Sequence, residues 1–221
     1  MSDYKRILSL DSAMAVVQFK KDRVAYQRNY FISYPANVMV VRFSADQPGK
    51  QNLIFSYAPN PVSTGSMAAD GSSGLVYSAS LDNNGMKYVV RIQAEAKGGT
   101  LTNADGKLTV KGADEVVFYI TADTDYKPNF DPDFKDPKAY IGVNPEETTR
   151  QWMENAVSSG YTALFNQHYA DYSALFDRVK LRLNPTAKMV NLPTSQRLKN
   201  YRKGQPDYYL EELYYQFGRY L

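Results

Sequence analysis

The chain has 221 residues, of which 43% are hydrophobic and 22% charged, and its formal net charge of +3 at pH 7 is spread along the sequence. That is enough for one large β domain with a helical appendage, and the weak, interspersed charge argues against a nucleic-acid partner. Cysteine is absent, which excludes disulfides and thiolate metal sites, and no apolar run is long enough to span a bilayer, so no membrane partner is expected.

The opening, MSDYKRILSL, is polar and charged and does not read as a signal peptide. The expectation is a cytosolic protein or a piece of a longer precursor. Met14–Phe19 and the run from Val24 through Tyr34 are rich in β-branched and aromatic residues and read as strands, broken at Lys20–Arg23 and again at Pro35–Asn37. Val38–Phe43 is a near-continuous apolar strand, Asp46–Lys50 a turn, and Leu53–Tyr57 a further strand. Pro59–Gly74, PNPVSTGSMAADGSSG, is small and polar and reads as a long surface loop. Strands resume at Leu75–Leu81. Asp82–Gly85, DNNG, is a hairpin signal, because Asn-Gly supplies positive φ at low cost. The return strand is Met86–Ala96, and a small hairpin follows around Ala104–Gly106. Val116–Ala122 reads as a buried strand. Short strands at regular spacing with turn signals predict an antiparallel β-sandwich.

Asp123, Asp125, Asp131, Asp133 and Asp136 crowd the next segment. Clustered carboxylates can hold Ca²⁺, but the spacing lacks the glycine and closing glutamate of an EF-hand loop. Prolines among the acids favour an extended connector, so no metal ligand is assigned. Asn144-Pro145-Glu146-Glu147 predicts a helix start, with Asn144 as cap, Pro145 at the first position and Glu147 reaching back; Gly160 is expected to end that helix. In Tyr161–Leu183 the apolar residues Tyr161, Leu164, Phe165, Tyr169, Tyr172, Leu175, Phe176 and Val179 recur at helical spacing. The single histidine, His168, lies near this stripe, with Asp171 and Tyr172 one turn on. A His–Asp relay is conceivable, but a packed, hydrogen-bonded histidine is the commoner case. Lys180–Leu183 alternates and is expected to form a last strand. Asn184–Leu192 reads as a linker. A helix capped by Thr194 or Ser195 is expected over Pro193–Lys203, stopped by Gly204-Gln205-Pro206. Asp207 then caps a final helix, apolar round most of its circumference and expected to be buried.

Three of these stretches, HYADYSALFDRVKLRL, LPTSQRL and LEELYYQFGRYL, together resemble the junction of the family 95 glycoside hydrolases, the α-L-fucosidase family. The front is also similar: Asp3-Tyr4-Lys5-Arg6, Leu8, Leu10-Asp11 and Ala13 resemble a strand motif of that family, and Tyr26–Pro35 the strand after it. The resemblance implies a β-rich fold with C-terminal helices: an antiparallel β-sandwich of super-sandwich type over residues 1–143, incomplete at its N-terminus, then a helical linker over 144–204. Residues 205–221 would begin an (α/α)6 catalytic barrel.

For the whole enzyme the resemblance implies inverting hydrolysis of a terminal α-L-fucosyl linkage, or that of a related L-sugar, without a cofactor. The family's catalytic Glu and Asp belong to the barrel beyond Leu221. No catalytic, cofactor-binding or metal residue is therefore carried over onto this chain, and it is expected to be inactive alone. Its expected partners are the catalytic barrel and, for the parent enzyme, fucosylated glycans. A second copy of the chain could also pack on the exposed C-terminal helix. A periplasmic or secreted location is implied for the parent. The alternative is a stand-alone carbohydrate-binding β-sandwich. If the chain were itself an enzyme, Asp123 with Asp125, or Glu211 with Glu212, would be the local carboxylate pairs; both read better as surface charge.

Overall fold

The computed structural model describes residues 1–130, 135–136, 138–183 and 192–221. Eleven strands precede the helices. In chain order they are β1 (Ser2–Ser9), β2 (Met14–Lys21), β3 (Val24–Ser33), β4 (Val38–Ala45), β5 (Gln51–Ser56), β6 (Ser63–Ala69), β7 (Gly74–Leu81), β8 (Lys87–Lys97), β9 (Thr100–Ala104), β10 (Lys107–Ala113) and β11 (Glu115–Thr124). The helices are α1 (Pro145–Phe176), α2 (Thr194–Arg202) and α3 (Tyr208–Tyr220). The chain forms two units: Met1–Ile7 with Met14–His168, and Leu8–Ala13 with Tyr169–Leu221.

In the first unit an eight-stranded sheet runs β1-β2-β3-β4-β11-β8-β7-β6 and a three-stranded sheet runs β5-β10-β9. The middles of the central strands β4 and β11, Val38–Val41 and Val116–Ile120, are apolar without interruption because both of their faces are covered there. Val41, Val116 and Phe118 point one way, into a core shared with Leu108 and Val110 of the small sheet. Their neighbours Val40, Val117 and Tyr119 point the other way, onto Met153, Ala156 and Leu164 of α1. The period-2 alternation of a strand thus feeds two cores at once. Phe118 fixes the first core, stacked on Phe55 at 4.8 Å and edge-on to Phe43 at 5.9 Å. Phe31 fixes the second, in ring contact with Tyr161, Phe165 and His168. The antiparallel sandwich followed by helices that the sequence predicts is present.

The middle of the predicted loop over Pro59–Gly74 is a strand. β6 occupies Ser63–Ala69 and pairs along β7, with Gly65 opposite Ala79. A Cβ at Gly65 would fall 2.3 Å from that of Ala79, so the close pairing demands a glycine there. The small residues that make this edge strand possible are the ones that disguise it as a loop.

The helix start at Pro145 is as expected, and Asn144 Oδ1 accepts the Glu146 amide at 3.1 Å. Glu147 does not reach back, because Arg150 takes its carboxylate in a forked pair at 2.6 and 2.7 Å. Gly160 breaks the helix as expected: its φ of 72° and ψ of 168° lie outside helical space, and the helix resumes beyond it. The resumed helix stops at Phe176, short of Leu183. Of its predicted stripe, Leu164 and Phe176 are buried, whereas Tyr169, Leu175 and Val179 are exposed.

In the second unit, Lys180–Leu183 forms no strand. The backbone around it is tied to α3 side chains instead: Arg219 donates to the Val179 carbonyl at 2.6 Å, and the Leu183 amide donates to Glu212. α2 begins after Pro193, and neither Thr194 nor Ser195 caps it with a side chain. Asp207 does cap α3, accepting the Leu210 amide at 2.9 Å. The final helix is not buried all round: Leu210 is covered, but Tyr214 is 81% exposed and Phe217 39%. Most of the Asn184–Leu192 linker lies outside the described residues.

Candidate functional site

The aspartates after β11 do not converge. Asp123 accepts the Thr124 amide, Asp136 accepts the Lys138 amide, and the buried Asp125 accepts the Lys87 amide at 2.9 Å. Asp131 and Asp133 lie outside the described residues. Among the described residues no three His, Cys, Asp or Glu side chains meet. His168 is 5% exposed and its ring stacks on Phe31 at 5.1 Å, in the core between sheet and helix; Asp171 is exposed. Glu211 accepts the Tyr201 hydroxyl at 2.9 Å, and Glu212 accepts the Leu183 amide. Asp123, Asp125, Asp136, Glu211 and Glu212 are each committed to a local structural bond rather than to one another.

The feature of the second unit that can act on something outside itself is an apolar groove of about 770 Å³. Leu198 and Tyr201 of α2, Leu210, Leu213 and Phe217 of α3, and Leu10 form its walls. The groove exists because α2 and α3 are held in a fixed pairing by a buried ion pair. Arg197 donates to both carboxylate oxygens of Asp207, at 2.8 and 2.6 Å, and both side chains are 3% exposed. The guanidinium also lies 4.6 Å from the centre of the Tyr209 ring. These bonds hold the Asp207 carboxyl below its ordinary pKa, with the Arg197 hydrogen bond as the main cause and the Leu210 amide adding to it. Within this unit the Tyr172 hydroxyl donates to the Leu10 carbonyl at 2.6 Å. Burial, reinforced by the nearby Tyr220, pushes that phenol up to about 12.

The sequence marks Asp207 as a helix cap but gives no sign of its partner. Arg197 sits in a strongly polar helix whose local pattern looks like solvated surface, and only the turn at Gly204 brings it onto the carboxylate.

Residues 1–129 match the family model described as glycosyl hydrolase family 65, N-terminal domain, and residues 160–221 match that of the glycosyl hydrolase family 95 catalytic domain. The chain is 32% identical to a probable alpha-fucosidase A of Aspergillus niger, over 99% of this chain and 28% of that protein. It is 26% identical to alpha-L-fucosidase 2 of Arabidopsis thaliana, over 100% of this chain and again 28% of the relative. It thus spans under a third of the length of these relatives. Among solved structures, a putative kojibiose phosphorylase from the human microbiome shares the fold, with a TM-score of 0.52 and 9% identity over 79% of this chain and 25% of that one.

Proposed function

We propose that this chain, which belongs to the glycosyl hydrolase family whose N-terminal domain covers residues 1–129 and which continues into a family 95 catalytic segment, is the non-catalytic scaffold of an α-L-fucosidase-like enzyme. The whole protein would remove terminal α-L-fucosyl groups, or those of a related L-sugar. An inverting reaction of this kind needs one carboxylic acid to protonate the leaving oxygen and one carboxylate to activate a water on the opposite face of the sugar. Both belong, on this reading, to the rest of the catalytic domain. The first unit supplies a rigid sandwich, and the second supplies the first wall of the catalytic barrel.

The observation that carries this reading is the open apolar groove of α2 and α3, inside the segment matched to the catalytic domain. Apolar surface of this extent seeks cover, and further barrel helices are the natural cover for a helical catalytic segment. The assay is hydrolysis of an aryl α-L-fucoside. The chain alone should give no turnover. A polypeptide that continues into a family 95 catalytic domain should be active and should lose activity on Phe217→Asp. Turnover by the chain alone, abolished by one carboxylate substitution within it, would overturn the reading.

A further inference from the structure

The sheet face that α1 packs on is divided. Rows near the middle of the strands are apolar and covered by α1, whereas towards one end the row becomes polar across four adjacent strands. Gln18 pairs with Gln27, Gln27 with Ser44, and Ser44 with Glu115, all on one face of β2, β3, β4 and β11. The next row inward adds Asn29 beside Arg42. The amides are ordered head to tail: Gln18 Nε2 donates to Gln27 Oε1, and Gln27 Nε2 to Asn29 Oδ1, each at 2.9 Å. Over this end of the face lies a depression of about 720 Å³, bordered also by Tyr4, which is 56% exposed.

We propose that this amide row binds a neutral oligosaccharide. The charges around it cancel in number: Lys20 pairs with Asp3 at 3.1 Å, Arg42 pairs with Glu115, and Lys5 and Asp46, of opposite sign, both border the depression. A face with no net charge has no preference for phosphates, polyanions or acidic peptides. A carboxamide offers both donors and an acceptor, which is what a sugar hydroxyl also offers. The ordered chain leaves one N–H of each glutamine, and the Gln18 carbonyl, for a ligand. Because the amides already hold one another, little rotamer freedom is lost on binding. Tyr4 borders the depression and is exposed, and a tyrosine ring is a surface on which the apolar face of a pyranose can stack. A protein partner would ask for an apolar anchor at the centre of the patch, and the centre here is amide.

The test is independent of the fucoside reading, because it uses unfucosylated sugars. The ¹⁵N-labelled 221-residue chain is titrated with lactose-based, cello- and xylo-oligosaccharides, and separately with polygalacturonate. At least one neutral oligosaccharide should shift the Gln18 and Gln27 side-chain amide signals saturably. The double variant Gln18→Leu, Gln27→Leu should bind it roughly tenfold more weakly. The near-isosteric pair Gln18→Glu, Gln27→Glu, which keeps the shape but loses the donors, should lose binding as well, with the melting temperature reporting that the sheet is intact. The proposal falls if no neutral oligosaccharide moves these signals at millimolar concentration. It also falls if only polygalacturonate does so, or if folded variants bind as the parent does.

Discussion

Removing one partner of the Arg197–Asp207 pair should release α2 from α3. Both groups are 3% exposed and joined by two hydrogen bonds. Stripping the carboxylate leaves a buried guanidinium without its counter-ion, which typically costs about 3–5 kcal/mol. Asp207→Ala also removes the cap on the Leu210 amide, worth about 1 kcal/mol. At about 1.4 kcal/mol per factor of ten, local opening of this unit should become at least about a hundredfold more frequent. Hydrogen exchange in α2 and α3 peptides reads that opening directly. Asp207→Asn keeps the capping oxygen and should fall between parent and Asp207→Ala. The double variant Arg197→Met, Asp207→Leu leaves no unpaired charge and should be less damaged than Asp207→Ala alone. The pH dependence has a definite sign. The folded-state pKa of Asp207 is depressed, so the pair's contribution is complete above the unfolded carboxylate value of about 4. It is lost as pH falls through the lower folded value. After correction for intrinsic exchange, protection of α3 should be flat from neutrality down to about the unfolded carboxylate value and decline from there through the lower folded value, and Asp207→Asn should lack the acid decline. Unchanged exchange in Asp207→Ala, or a double variant worse than the single, would refute this account.

Three further outcomes follow from the geometry. His168→Ala should destabilise the first unit by roughly 1–3 kcal/mol, since a buried ring stacked on Phe31 is deleted; urea unfolding followed through the single tryptophan, Trp152, measures it, and a shift below a few tenths of a kcal/mol would contradict the packing role. Gly160→Ala has open space around its new methyl but must adopt φ 72° and ψ 168°, which costs about 1–3 kcal/mol; a variant as stable as the parent in the same assay would mean the kink is not required. The chain by itself should self-associate through the groove, and light scattering should show the association disappear in Phe217→Asp; a monomeric parent at high concentration would count against an exposed apolar site there.

The elements legible in the sequence are those whose side chains face one kind of environment along their length. β4 and β11 are buried on both sides over Val38–Val41 and Val116–Ile120 and read there as unbroken apolar runs, and Gly160 announces its break because a glycine between two helical patterns has few other uses. β6 was hidden because Gly65 must be a glycine where it presses against Ala79 and most of its neighbours are Ser, Thr and Ala, the composition of a loop. The Lys180–Leu183 alternation was misleading because period 2 licenses a strand only where a sheet edge is available, and α3 side chains meet this backbone instead. The polar row was not legible at all. Gln18, Gln27, Ser44 and Glu115 are scattered along the chain, and strand register alone aligns them.

The two units differ in what they leave open, and the difference bears on which surface is finished. In the first unit α1 covers the apolar rows Phe31, Val40 and Tyr119, and the face beyond it turns to amides and balanced ion pairs. Such a surface is stable in water and can exchange its hydration for hydroxyl groups of a ligand at little cost. In the second unit the order is reversed. The strongest polar interaction, Arg197 with Asp207, is sealed inside, while Leu198, Leu213 and Phe217 line the open groove. Each Å² of that lining left in water forgoes about 25 cal/mol, so covering the face of even one helix outweighs the ordering cost of the segment that does so. A buried charge pair beneath an open apolar wall is the arrangement of a packing surface: the pair fixes the angle between α2 and α3, and the wall supplies the driving force for whatever packs on them. That is why the scaffold reading rests on the groove and the ligand reading on the sheet, and why Phe217→Asp and Gln18→Leu should have effects that do not overlap.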